Sequence, residues 1–374
     1  MFIFIGVVIL LLYALLVFYI GWSSWKWMKP LVSARFKWFY IVALLFMSSS
    51  FIWSRFVSTP FFSAVGWFWL AFFSISLLIV PVVHLALWLI RLTSLPYHRI
   101  QKWTGAVALI AIVTLIFYGS FNAYSPIVRK YEVNIDKPAG NLKELNIVMA
   151  SDMHFGLLSG RKHAERMVEI INELKPDLVL YPGDIIDDDL DAYLNKGIDR
   201  IISNVKSTYG VYASLGNHDK YQGNMEQLIA ALERSNMDVL YDESVVVNDE
   251  LIIVGRKDKT EQDRASLAEL MTGISTDLPI ILLDHQPYEF DKAVQSGVDL
   301  MLSGHTHRGQ IAPAHLITQA MYENDWGLLQ KDSFYSIVSS GYGFWGPPIR
   351  IGSRSEIVQI SVLFTGAPHS ELPL

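Results

Sequence analysis

The chain has 374 residues, 52% of them hydrophobic and only 18% charged, with a mean hydropathy of +0.31, a balance that excludes an ordinary soluble enzyme throughout. A formal net charge of −6 without long basic blocks offers no clustered Lys/Arg face, so no nucleic-acid partner is expected. The lack of cysteine excludes disulfides and thiolate metal sites, leaving imidazole, carboxylate and amide groups as the only transition-metal ligands available.

The apolar excess sits before about residue 123. Four stretches there are long enough for a hydrocarbon core of roughly 30 Å: Phe2–Ile20, Trp38–Trp53, Gly66–Ile90 and Thr104–Phe121. The first lacks a basic start and a small-residue cleavage site, so it reads as a retained helix rather than a signal peptide. The second is interrupted by Ser48-Ser49-Ser50 and is the shortest. Lys26, Lys29, Arg35 and Lys37 follow the first span, and Arg91, Arg99 and Lys102 follow the third, against Arg55 alone after the second. The positive-inside bias places the two basic loops in the cytoplasm and both chain termini outside, with the soluble part on the periplasmic or extracellular face. His84, inside the third span, reads as a neutral histidine hydrogen-bonded to a neighbouring helix. The spans carry no Asp, Glu, Lys or Arg in their interiors, which argues against transport.

The expected organisation is a multi-pass membrane region over residues 1–123, a linker with a first strand over 124–144, and a catalytic domain over 145–374. From Asn146 the pattern alternates strand and helix, as in an α/β domain. Apolar runs end in polar clusters at Asp152, Asp184, Asn217, His285 and Gly304-His305-Thr306-His307. The runs Leu251–Val254, Phe334–Ser339 and Glu356–Val362 are expected to form a second, mostly antiparallel sheet.

On an extended strand end Asp152 and His154 point the same way and can grip one cation. Asp184, after a glycine, adds a carboxylate able to bridge two cations, and Asn217 adds a neutral amide oxygen. His285, His305 and His307 complete two coordination spheres. Two divalent ions about 3.5–4 Å apart suit phosphoester hydrolysis, because they activate a hydroxide and clamp phosphoryl oxygens during in-line displacement. His218, next to Asn217, is placed to protonate the leaving oxygen. Asp187, Asp188 and Asp189 could orient metal-bound waters or groups behind the ligands but read more readily as a solvated helix start, and His163, His315 and His369 read as surface residues. The segment Gly341–Pro348 reads equally as a substrate-facing loop or a packing loop.

In this order, the blocks SDMH, PGD, GNHD, LDHQP and GHTH resemble the five motifs of the calcineurin-like metallophosphoesterase superfamily. The resemblance runs from about Asn146 to Val362 and is nearest to the membrane-linked bacterial branch. It implies a four-layer αββα sandwich (α/β, α+β) and two divalent metal ions, Mn, Fe or Zn. One ion would lie on Asp152, His154, Asp184 and His307, and the second on Asp184, Asn217, His285 and His305. The catalytic residues it implies are His218 and Asp184. Substrate contacts are expected from Asn217, His218, Arg308 and Arg350. Arg308 stands where the branch usually has glycine. Asp187 stands where purple acid phosphatases carry a tyrosine ligand, which argues against a tyrosinate iron centre. The expected function is therefore a two-metal phosphodiesterase or pyrophosphatase acting on a phosphorylated small molecule or lipid at the bilayer. The alternative is a catalytically silent binding or scaffold protein with the same fold. Such a protein would be expected to lose ligands, and all eight positions are present.

Overall fold

A computed structural model describes residues 2–53, 56, 60–187, 190–222 and 224–366. Arg55, Asp188, Asp189 and His369, used in the sequence reading, lie outside the described residues. The chain forms two compact units, one of residues up to Phe121 with Gly346–Ile349, the other of Asn122–Trp345 with the residues from Arg350 on.

In the first unit the helices α1 (Phe2–Met28), α2 (Phe36–Trp53), α3 (Pro60–Ile90) and α4 (Tyr97–Tyr124) extend beyond the expected spans. All four are long and apolar enough to cross a membrane. The serine run does not break α2: Ser48 and Ser49 donate to Leu45 O and Ser50 to Met47 O, so each hydroxyl is satisfied within the preceding turn. His84 Nδ1 lies 2.9 Å from the Tyr19 hydroxyl of α1, the inter-helix bond expected of it.

Among the described residues the second unit has twelve strands: β1 (Ile127–Ile135), β2 (Glu144–Met149), β3 (Leu178–Pro182), β4 (Val211–Ser214), β5 (Asp238–Val239), β6 (Glu243–Val247), β7 (Leu251–Gly255), β8 (Ile280–Leu283), β9 (Leu300–Ser303), β10 (Gly327–Lys331), β11 (Phe334–Val338) and β12 (Glu356–Phe364). They form two six-stranded sheets, in the orders β1-β12-β2-β3-β4-β5 and β10-β11-β9-β8-β7-β6. Alternation within each strand sends one set of apolar side chains between the sheets, among them Ile147, Leu180, Ile253, Leu283 and Leu302. The opposite set meets helices. Val148, Val179 and Tyr181 pack on the helix Arg161–Glu173, while Ile280, Leu282 and Met301 pack on Leu267 and Phe290. The result is the four-layer αββα sandwich.

Two expectations on strand placement are corrected. The run Glu356–Phe364 joins the first sheet, antiparallel to β2 and parallel to β1, and not the second. The centre of the second sheet is parallel, since β7, β8, β9 and β11 all run one way and only the edge strands β6 and β10 are antiparallel. Within residues 124–144, expected as a linker with a first strand, the strand is β1, paired along its nine residues with β12. What positions the site is that β2, β3 and β4 are mutually parallel in one sheet, and β8 and β9 in the other, so their C-terminal ends form two adjacent rims.

Candidate metal centre

Each rim supplies part of one polar cage. β2 leads into Asp152 and His154, β3 into Asp184, β4 into Asn217 and His218, β8 into His285, and β9 into His305 and His307. Asp152, His154, Asp184, His305 and His307 all have positive φ, between 44° and 71°. The pairing of Asp152 with His154 is therefore not made by an extended strand end, as the sequence suggested, but by two left-handed residues in a loop. Main-chain bonds hold that loop beside the next: Asp152 N to Gly183 O and His154 N to Asp184 O, both 3.1 Å. Backbone conformations this costly for non-glycine residues persist where the surrounding structure fixes them, and they concentrate at functional sites.

Among the described residues three groups could each hold a cation, with ligand atoms within 4.8 Å of one another: Asp152–His154–His307 and Asp184–His285–His305, which carry the expected ligands, and His154–Asp187–His218, which shares His154 with the first. His154 Nε2 lies 3.1 Å from His307 Nε2, and Asp152 Oδ1 lies 3.4 Å from His307 Nε2. In the second group His285 Nε2 is 3.1 Å from Asp184 Oδ2, and Asn217 Oδ1 is 2.9 Å from His305 Nδ1. The same Asp184 oxygen is 3.8 Å from His154 Nε2, so it lies between the two groups.

The donor set fits divalent cations. His285 Nδ1 donates to Pro182 O at 2.9 Å, which fixes the tautomer and turns Nε2 inward as a lone-pair donor. That Nε2 is fully buried with Asp184 Oδ2 3.1 Å away, and a divalent cation can take both atoms as ligands in place of a proton held between them. Oxygen and imidazole ligands in this ratio suit borderline divalent ions. Electrostatics agree. Burial and the neighbouring Asp184 charge raise Asp152 above the ordinary carboxylate value. Burial also opposes ionisation of Asp184, but the His285, His154 and His218 imidazoles outweigh it and hold that carboxyl low. His285 is raised in turn by Asp184, against its burial. Two buried carboxylates this close need positive charge between them.

Several supports escaped the sequence reading. Asp219 is fully buried and accepts from Ile185 N, Ile186 N and Gly216 N at 2.8–3.3 Å, tying the Asp184 loop to the Asn217 loop. Burial, then the Asp184 charge, push its carboxyl up to about 6. Ser151 Oγ donates to Asp152 Oδ2 at 2.6 Å. Asp187, read as part of a solvated helix start, instead sits with its Oδ1 3.4 Å from His154 Nδ1 and 3.5 Å from His218 Nδ1. His218 itself donates its N–H to Asp184 Oδ1, and its ring lies 4.8 Å from that of His154. The signal for Asp187 was present in its spacing from Asp184. The signal for Asp219 was its place within GNHD.

The two arginines are placed differently from each other. Arg350 is fully buried, and its guanidinium donates to Gly343 O, Gly341 O and Ser353 Oγ and reaches His307 Nδ1 at 3.1 Å. It thus lies buried behind a candidate ligand. Because guanidinium only donates, His307 Nδ1 accepts here, and its Nε2 proton must leave before Nε2 can ligate a cation. Arg308 does adopt the left-handed backbone that glycine would favour (φ 50°, ψ 41°), and its guanidinium stacks 3.8 Å over the Trp326 ring. His163 is buried, not superficial, with its ring 4.3 Å from that of Tyr342. Within Gly341–Pro348, Tyr342 and Phe344 are buried in packing, while Trp345 is 56% exposed and clamped through its backbone by Gln310.

Residues 145–309 match the family model for calcineurin-like phosphoesterases. An uncharacterized metallophosphoesterase of Campylobacter jejuni is 33% identical over 279 residues, covering 71% of each chain. One from Aquifex aeolicus is 31% identical over 261 residues, covering 67% of this chain and 97% of its own. The zebrafish (Danio rerio) transmembrane protein with metallophosphoesterase domain is 32% identical over 270 residues, 68% of this chain, which spans only 61% of that relative's length. With the five motifs gathered on two parallel rims, this extent of similarity establishes that the chain belongs to the calcineurin-like phosphoesterase family.

Proposed function

We propose that the protein is a two-metal phosphoester hydrolase, a phosphodiesterase or pyrophosphatase acting on a membrane- or envelope-associated phosphorylated substrate. The observation that supports this best is the position of Asp184 Oδ2 between the imidazoles of His285 and His154, where one carboxylate can serve two cations. Asp152, His154 and His307 would hold one ion, and Asn217, His285 and His305 the other, with Asp184 shared. When bound, such ions polarise a phosphoryl oxygen and make water a competent nucleophile near neutral pH. His218 stands at the open side of the cage, its side chain 13% exposed, where its imidazole would protonate the leaving oxygen. The amide of Asn217 would orient a phosphoryl oxygen beside it. Asp187, close to both His154 and His218, would hold both rings in register.

The helical unit supports residence in a cell membrane, and the Lys/Arg bias of the loops supports an outer-face catalytic domain. Hydrolysis of bis-p-nitrophenyl phosphate by the purified protein with added manganese tests the activity. Absence of metal-dependent turnover, or turnover undiminished in Asp184→Asn, would overturn the proposal. A reporter fused to the C-terminus tests the orientation, and a cytoplasmic signal would reverse it.

A further inference from the structure

The first 123 residues contain eight Lys and Arg and no Asp or Glu. The helical unit therefore has no carboxylate with which to neutralise its own cations. Two of the eight converge on one pocket. Lys26 at the end of α1 and Arg91 just past α3 line a recess of about 180 Å³ together with Trp22, Trp27, Tyr97 and Gln101. Lys26 Nζ lies 4.9 Å from the centre of the Trp22 ring, and the Arg91 guanidinium 4.5 Å from that of Tyr97. Each cation is thus held by an aromatic ring, with no anion opposite it among the described residues.

One helical turn deeper lies a second space of a different kind. It has a volume of about 450 Å³, within the usual range of about 300–1,000 Å³ for a ligand pocket, and its walls are almost wholly apolar, with Ile20, Leu44, Val80 and Leu109 among them. Trp27 lines both spaces. Its place depends on Gly105 of α4, where a Cβ would overlap the Trp27 Cβ. From Arg91 back along α3 the order is Leu87 in the polar recess, then Val80 and Ser76 in the apolar cavity. Along α4 it is Gln101, then Gly105 and Leu109. Charge and aromatic rings at the helix ends, with an empty-walled apolar cavity below them, reproduce the profile of a single phospholipid in one leaflet.

We infer that the helical unit carries a specific site for an anionic phospholipid, its phosphate headgroup held by Lys26 and Arg91 and one acyl chain lying past Trp27 in the apolar cavity. The headgroup balances charge that the unit cannot balance itself, and the chain fills volume that would otherwise leave the side chains of α1–α4 without packing partners. This reading does not depend on the catalytic activity. Every residue lining the two spaces belongs to the helical unit and none to the candidate metal centre, so the bound lipid is proposed as a component of the membrane unit.

The test is native mass spectrometry of the delipidated full-length protein titrated with dioleoyl phosphatidylglycerol or dioleoyl phosphatidylcholine. The anionic lipid is expected to be retained at least tenfold more strongly. Lys26→Gln and the double variant Lys26→Gln/Arg91→Gln should abolish that preference, while Lys29→Gln/Arg99→Gln, which removes equal charge outside the recess, should preserve it. Ala106→Phe, which projects a ring into the cavity, should erase the advantage of dioleoyl over dihexanoyl chains. Equal retention of the two lipids, or equal loss in the two charge-removing doubles, would overturn the proposal by showing only a diffuse basic interface. All variants lie on exposed or cavity-lining positions, and elution as a single species confirms that each is folded.

Discussion

Replacing Gly216 by alanine puts the smallest possible side chain into the contact between two site loops. Its Cβ would overlap Asp184 Oδ1 and stand 2.6 Å from the Asp184 backbone nitrogen, where ordinary contact begins at 3.4 Å. The Asp184 backbone is not the free end of a flexible side chain, so the two loops must part by about 0.8 Å. Overpacking of this kind costs about 1–3 kcal/mol of stability, and a displacement near 1 Å at a reacting centre costs about 100-fold in rate. The expectation for Gly216→Ala is thus a folded protein with kcat lowered on the order of 100-fold and weaker manganese dependence. Manganese-dependent diester hydrolysis and calorimetric unfolding in detergent measure the two effects. Gly160→Ala is the control, since its Cβ would meet only Lys196, with Nζ at 3.5 Å, an ordinary contact distance. A Gly216→Ala enzyme with kcat within twofold of the parent would refute the claim that close approach of these loops sets the Asp184 position.

Arg350→Lys removes the guanidinium from behind His307 while keeping a positive charge. The manganese concentration for half-maximal activity should rise about 10–100-fold, with KM for the diester unchanged at saturating metal. A raised KM alone would instead mean that Arg350 meets substrate. Arg308→Gly loses a cation–π stack worth about 0.5–1 kcal/mol but relieves a left-handed backbone costing about 1–3 kcal/mol; thermal stability should hold or rise slightly, and KM should stay within twofold. His163 is held down to about 4 by burial, against an ordinary value of 6.5. Between those values the unfolded chain takes up a proton that the folded chain refuses, so stability falls as pH falls, by about 2 kcal/mol at pH 5 relative to pH 7. His163→Phe should narrow the difference in unfolding temperature between pH 7 and pH 5, and an unchanged difference would refute the assignment.

The cage was legible because each strand of the two rims is a short apolar run closed by a polar residue, often beside glycine, and that pattern survives in one dimension. Asp152, Asp184, Asn217 and His285 can be picked out without knowing which sheet their strands join. The sheet membership of Glu356–Phe364 could not be read so, because its partners, β1 and β2, are more than 200 residues away and alternation does not encode a partner. Arg350 shows a second limit. An arginine near glycines reads as available to an anion, and only the packed structure shows its donors spent on Gly341, Gly343 and His307. Asp187 fails in the opposite sense, since an acidic run is usually solvated and only the folded loop brings this carboxylate between two imidazoles.

The left-handed backbone at Asp152, His154, Asp184, His305 and His307 has a consequence for how this domain would age if its chemistry were no longer selected. Each position charges the fold about 1–3 kcal/mol for a side chain that serves only the cage, and glycine would remove that charge. Drift should therefore carry these five positions toward glycine or asparagine, with the sandwich growing more stable as the cage disappears. Loss of these five side chains in a relative would therefore mark a domain whose cage has gone out of use.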